Sequence, residues 1–238
     1  MASRESDDAL FRSSSGMVRA VNYTDWTFSL FERHIRGHVL EVGCGVGTFT
    51  RRLLGHPLCE ALLSIDVDPA AVEYCRRSIV GPRLELRVSD VRAIDGRFDL
   101  IVCMNVLEHI EDDVGALRHM LALLRPGGTL FLLVPAHPFL HSSFDTEAGH
   151  YRRYTKRALG ALRETAGTAP LDVRQFYFNA VGAIGYFVQY KLLRKQPRAD
   201  SSAEIGWFDR IVVPVMRRLE RERAPFGISL VAVLTKRA

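Results

Sequence analysis

Three glycines alternate in the run Gly43-Cys44-Gly45-Val46-Gly47, directly after the apolar stretch Val39–Val42 and its single acid, Glu41. Glycine accepts φ > 0 and lets main chain pass where a Cβ would collide. A strand followed by this spacing turns sharply and leaves its backbone bare for a ligand to lie on. Position 48 is Thr, so the spacing is Gly-x-Gly-x-Gly and not the Gly-x-Gly-x-x-Gly of dinucleotide sites. Glu41 argues the same way, because a carboxylate beside the turn suits a cationic amine better than a pyrophosphate. Asp66 ends a second apolar stretch, Leu62–Asp66, 19 residues after Gly47. In a doubly wound sheet an acid at that place grips both ribose hydroxyls.

A second constellation lies in Pro135–Tyr154, a long segment dense in His, Asp, Arg and Tyr. Long loops with chemistry of their own are usually functional. His150 and His141 are the candidate general bases. His137, Asp145, Tyr151, Arg152, Arg153 and Tyr154 are candidate acceptor contacts, and the two arginines suit a carboxylate or phosphate held bidentately. They equally suit a surface or helix-capping role. His137, His141, Asp145 and His150 are also metal-ligand types. The step of four from His137 to His141 matches a helical face, but Pro138 disfavours helix there. Without compact spacing no metal is expected. His109 reads as structural, and Cys44, flanked by glycines with no evident base, as a spacer.

Strands and helices alternate around these residues. Asp68-Pro69 has the N-cap and first-position proline of a helix start. Arg83–Val88 reads as a third strand and Phe98–Cys103 as a buried fourth. Asp112-Asp113 opens a helix with negative charge at its positive end, and Val114, Leu117, Leu121 and Leu124 give it an apolar face. Arg125–Thr129 reads as its stop, before a strand Leu130–Val134. Thr155–Glu164 is a short helix, and Leu171–Phe178 and Ile228–Thr235 are the last two strands. Val18–Arg36 precedes the first strand as a helical cap, behind a frayed tail, Met1–Ser15, that is no signal peptide.

The expected architecture is α/β: a Rossmann-like, doubly wound seven-stranded sheet with its last strand antiparallel, plus a helical insertion between strands six and seven. Residues 1–36 form the tail and cap, and 37–238 the main domain with its insertion at 179–227. That insertion holds an apolar stretch, a polar linker Arg198–Glu204 and a helix Trp207–Arg223. Ile211, Val215 and Leu219 recur every four residues, and such a stripe predicts a lid over the acceptor or a homodimer surface. Phe176–Leu193 is 18 residues long but contains Asn179, Gln189 and Lys191, whereas a span needs about 20 predominantly apolar residues. No membrane span is expected.

The chain has 238 residues, 47% of them hydrophobic, and a net charge of +5, ample for a sizeable core. Its basic residues are nearly all Arg and are scattered, so no nucleic-acid stripe forms. Cys44, Cys59, Cys75 and Cys103 lack Cys-x-x-Cys spacing and suggest reduced thiols in a cytoplasmic protein.

The Gly-x-Gly-x-Gly turn, Asp66, Ser89-Asp90-Val91, Met104–Ile110 and Arg125–Thr129 stand in the order of class I S-adenosylmethionine (SAM) methyltransferases, which this chain resembles over most of Val39–Gly167. Pro135-Ala136-His137, Asp145 and Gly149–Tyr154, with Asn22-Tyr23, Trp26 and Pro225–Leu230, resemble a bacterial type 11/12-like subgroup. The resemblance implies SAM as co-substrate and S-adenosyl-L-homocysteine as product. Contacts would come from Glu41, Gly43, Cys44, Gly45 and Gly47, from Asp66 with Val67, from Asp90 and the backbone N–H of Val91, and from Asn105 and Val106. It implies methylation of O or N on a small-molecule acceptor, with a lipid-linked or glycan acceptor and a non-catalytic SAM-binding module as alternatives. Enzymes that methylate exocyclic amines or the glutamine amide follow strand four with (Asn/Asp)-Pro-Pro-(Tyr/Phe). Asn105-Val106-Leu107-Glu108 stands there instead, against a nucleic-acid substrate.

Overall fold

The structure is a computed structural model that describes residues 20–167, 170–193, 206–220 and 224–237. Strands β1 (Gly37–Val42), β2 (Cys59–Asp66), β3 (Leu84–Val88), β4 (Phe98–Met104), β5 (Leu124–Pro135), β6 (Leu171–Phe178) and β7 (Ser229–Lys236) form one sheet in the order β3-β2-β1-β4-β5-β7-β6. β1 runs parallel to β2 and β2 to β3, while β7 runs antiparallel to both β5 and β6. The expected Rossmann-like sheet and its reversed last strand are therefore present. Leu40, Leu62, Ile65, Leu100, Ile101 and Phe131 are buried completely or nearly so, as the continuous apolar runs of a sheet covered on both faces require.

The chain divides into two compact units, Met1–Ile101 with Arg198–Arg217, and Val102–Pro197 with Arg218–Ala238. In the first, helix α1 (Val21–Ser29) precedes β1, and α2 (Thr48–Gly55) and α3 (Pro69–Ser78) follow β1 and β2. The Asp68 side chain accepts from Ala70 N with Pro69 at the first helical position, as the sequence predicts. Cys44, Val72, Cys75 and Ile79 form a buried cluster with Leu54, Leu84 and Leu86 against it. Asp209, from the insertion, accepts hydrogen bonds from the backbone N–H groups of Asn22 and Tyr23 at 3.0 and 2.8 Å. It thus satisfies orphan donors at the start of α1 with a negative charge.

In the second unit lie α4 (Asp113–Leu123), the short α5 (Ser143–Glu147) and α6 (Lys156–Ala166), capped by Asp112, Ser142 and Thr155. The insertion begins with α7 (Ala180–Tyr186) and a π-helical turn, Phe187–Leu192. The Glu220 carboxylate accepts from the backbone N–H groups of Asn179 and Ala180, and Ile228 N donates to Asn179 O at 3.1 Å. The two ends of the insertion are thereby tied together.

Two expectations need correcting. Arg125–Thr129 is not a helix stop: α4 ends at Leu123 and β5 begins at Leu124, because Leu124 is extended (φ −71°, ψ 136°). Phe176–Leu193 is not one segment: its first three residues finish β6, and the helix starts after Asn179, which takes φ 61° and caps it. The helix expected at Trp207–Arg223 is present over its described residues up to Leu219, with a π-helical turn, Phe208–Val212, leading into α8 (Val213–Leu219). The linker 198–204, residues 221–223 and the tail fall outside the described residues. No helix among the described residues is long and apolar enough to cross a membrane.

Candidate functional site

In the first unit the glycine turn follows β1. Gly43, Gly45 and Gly47 have φ of 83°, 50° and 75°, a region that costs other residues strain. A Cβ on Gly47 would come within 2.3 Å of Ile79 Cδ1, whereas one on Gly45 would meet nothing within 4 Å. Gly47 thus serves packing, and Gly45 leaves room over the turn. Asp66 stands at the end of β2 and accepts from Gly45 N at 2.8 Å and from Asp68 N at 3.0 Å. The acid expected at the ribose therefore also holds the glycine turn in place. Cys44 and Gly43 both donate through their backbone N–H to Ile65 O.

Glu41 is buried, and its Oε2 accepts from the Thr50 and Ser64 hydroxyls, each at 2.6 Å. Burial pushes its carboxyl up to about 7, the two hydroxyls pull the other way, and the nearby Asp66 carboxylate adds to the rise. Asp90 caps the turn after β3, accepting from Arg92 N at 2.8 Å, and pairs with the Arg92 guanidinium at 2.7 Å. Val91 beside it is buried, and Val67 is exposed. An open glycine turn with acids at the ends of β1, β2 and near β3 fits an adenosyl ligand that carries a cationic amino-acid end.

In the second unit Asn105 follows β4 with φ 52° and donates its N–H to Leu133 O at 2.8 Å. Such backbone is unfavourable for a side chain other than glycine and least so for Asn. Val106 leads from it into the turn Leu107–His109. The acceptor segment packs round this turn, with Tyr151 N donating to Glu108 O at 2.9 Å.

Asp145 is the hub of that segment. Its fully buried carboxylate accepts from Arg153 Nε at 2.8 Å and Tyr186 Oη at 2.7 Å, and pairs with His150 Nδ1 at 2.9 Å. Burial alone would raise its pKa, but these partners outweigh it and hold the carboxyl well below the usual range. The Arg153 guanidinium lies 4.6 Å over the Tyr186 ring and donates to Ala136 O. Tyr186, pushed up to about 12 by burial and by Asp145, also shares a hydrogen bond with Ser142 at 2.5 Å. Tyr190 packs on Tyr186 and Phe144.

The remaining candidates divide by environment. Arg152 pairs with Asp113 at 2.8 Å and donates to Glu111 O. Tyr154 is buried and donates to Asp113 Oδ2 at 2.8 Å. Both therefore brace the segment against the start of α4. Tyr151 is exposed, with Arg152 over its ring. His137 takes φ 61°, stacks on Tyr177 at 4.5 Å and keeps a buried Nε2 without a hydrogen-bond partner. His141 accepts at its backbone carbonyl from Lys191 Nζ. The structure thus brings His150, Asp145 and Arg153 together.

Two residues outside the sequence reading belong to this cluster. Glu108 is fully buried, neither carboxylate oxygen has a hydrogen-bond partner, and burial pushes it up to about 8. Tyr186 comes from the insertion. The signal for Glu108 is an acid inside an otherwise apolar stretch; for Tyr186 there is no local signal, since its partner is 41 residues away.

Residues 40–130 match the family model described as a methyltransferase domain. The ubiquinone biosynthesis O-methyltransferase of Xanthomonas euvesicatoria is 35% identical over 195 residues, 74% of this chain and 76% of that protein. That of Xanthomonas axonopodis matches to the same extent, while several others of that name match over less than half their length. Among solved structures, a methyltransferase bound to the Haloferax volcanii Trm112 methyltransferase activator shares 19% identity at a TM-score of 0.64, covering 98% of this chain and 96% of that one. The N-methyltransferase NodS of Bradyrhizobium japonicum, solved with S-adenosyl-L-homocysteine, shares 19% at 0.54, covering 90% and 84%. The chain belongs to the class I SAM-dependent methyltransferases. SAM is its co-substrate, and it is an enzyme of methyl transfer.

Proposed function

We propose that the protein methylates a hydroxyl oxygen of a small-molecule acceptor. The observation that carries this reading is the Asp145–His150 pair. With Nδ1–H donated to the Asp145 carboxylate, the neutral imidazole carries its lone pair on Nε2, 4.0 Å from Glu108 Oε1. A hydroxyl nucleophile sheds its proton as the O–CH3 bond forms, and a cluster offering lone pairs rather than N–H groups suits that need. SAM supplies the electrophilic methyl. The chain's own part is to place the acceptor oxygen in line, and positioning accounts for much of such an acceleration. Arg153, already committed to Asp145, acts by holding His150's partner in place. The relatives named for ubiquinone biosynthesis support an O-linked, small-molecule acceptor. Incubation with isotopically labelled SAM and a metabolite pool tests the reading: a label in methyl ethers supports it, and a label only in amines overturns it.

A lipid-linked acceptor is the second reading, favoured by one observation. Ile184, Phe187, Leu192 and Leu193, in and after α7, are all exposed, and Lys191 lies among them. Co-sedimentation with vesicles that carry the labelled product separates this reading from the first.

A further inference from the structure

The geometry points to a divalent-cation site built from Glu108, His109 and His150. One ligand atom from each of the three residues lies within 4.8 Å of the other two. Glu108 Oε1 is 4.0 Å from His150 Nε2, and the two imidazoles meet edge to face at 4.6 Å between centroids. Two donors bound at about 2.1 Å to one ion are at most about 4.2 Å apart. Closing the set therefore takes less than about 1 Å of side-chain movement.

The independent sign is Glu108. Its side chain is fully buried, and neither oxygen has a hydrogen-bond partner. Buried polar groups without partners are rare and call for an unseen ligand, ion or water. Here the unsatisfied carboxylate stands beside two imidazoles, the donor set of one-carboxylate, two-histidine centres that keep open coordination positions. The surroundings complete the pattern. Asp145 engages His150 Nδ1, which fixes the ring and leaves Nε2 for the ion, the usual carboxylate–histidine–metal arrangement. A backbone hydrogen bond with Gly149 holds His109. Arg153 is the nearby cation, and its charge is matched by Asp145. Imidazole donors favour zinc, iron or nickel over magnesium or manganese.

Such an ion would hold a hydroxyl oxygen in an open position and lower its pKa, so that the proton passes to solvent and the oxyanion takes the methyl, with His150 serving as a ligand in place of a base. That role rests on the O-methyl reading above; the metal site itself does not, and the two fail separately.

The test uses the full chain stripped with EDTA and titrated with Zn2+ and Co2+ by calorimetry, with bound metal counted by elemental analysis. One equivalent per chain is expected, with visible d–d bands for the Co2+ form. Glu108→Gln and His150→Ala should each weaken binding at least ~100-fold, and Asp145→Asn about 10–100-fold. His141→Ala, outside the set, should bind as wild type. Glu108→Gln keeps the buried shape, and a thermal melt shows that it folds. No binding by folded wild type overturns the proposal. So does unchanged stoichiometric binding in both Glu108→Gln and His150→Ala, which would place the metal elsewhere.

Discussion

At the scale of single residues, Asp66 has two duties that the same atoms discharge. Its carboxylate fixes the glycine turn through Gly45 N and the start of α3 through Asp68 N, and it is the acid expected to accept the ribose hydroxyls. A hydrogen bond to a charged group contributes ~1.5–3 kcal/mol, so losing the bonds to both ribose hydroxyls in Asp66→Ala should weaken SAM binding at least ~100-fold. Calorimetry on the variant measures this, and wild-type affinity would assign the ribose to another acid. Asp66→Asn keeps an acceptor for one N–H and should fall between the two. Asp90→Ala should cost less, because the Val91 N–H remains. Its carboxylate is already shared with Arg92, which lowers the net gain from any ligand contact.

At the scale of elements, the acceptor segment is held by a buried network that the insertion completes. Asp145→Asn leaves Arg153 as a buried guanidinium with a weakened partner. Breaking one side of such a pair typically costs ~3–5 kcal/mol, so the variant should melt well below wild type in calorimetry. Tyr186→Phe keeps the ring under Arg153 but removes the donor to Asp145. It should cost ~1.5–3 kcal/mol at most and lower acceptor turnover while SAM affinity stays unchanged, since Tyr186 and the glycine turn belong to different units. A parallel loss of SAM affinity would make Tyr186 a core residue only. The contrast also explains what is legible in the sequence. β6 runs over the same residues that its alternation and aromatics predict, and Asp68, Asp112 and Thr155 cap the helices they announce. Those signals act within four residues, so they survive without tertiary information. The start of β5 is hidden in the sequence because Pro126 and two glycines read as a stop. Tyr186 is hidden for another reason, since its meaning lies in a partner 41 residues away; Glu108 shows in the sequence only as an acid beside apolar residues, which does not tell that its buried oxygens lack hydrogen-bond partners.

At the scale of the whole molecule, strand order and glycine turn place carboxylates inside a basic protein of net charge +5, and folding stability should record this as a pH dependence. Glu41 is the cleanest reporter, because its hydrogen-bond partners are hydroxyls that do not titrate in the same range. Its carboxyl rises from an ordinary 4.5 to about 7 on folding, chiefly through burial. Below pH 4.5 both folded and unfolded chains hold the proton, and its stabilising effect is fully present. Between 4.5 and 7 the unfolded chain releases the proton while the folded chain keeps it, so stability falls as pH rises. Above 7 both have lost it and the contribution is gone. Each tenfold gain in proton affinity on folding corresponds to about 1.4 kcal/mol, which sets an upper limit of ~3.5 kcal/mol for the whole window. Glu41→Gln removes the titration but keeps an oxygen to accept from Thr50 or Ser64. The difference in unfolding free energy, wild type minus variant, should therefore decline from pH 4.5 to pH 7 in denaturant titrations of the SAM-free enzyme. Taking the difference cancels the general repulsion that grows as other carboxylates protonate. A difference that stays flat across that window, or rises with pH, would mean that Glu41 is ionised in the folded enzyme and that the Thr50 and Ser64 hydroxyls suffice to hold its charge.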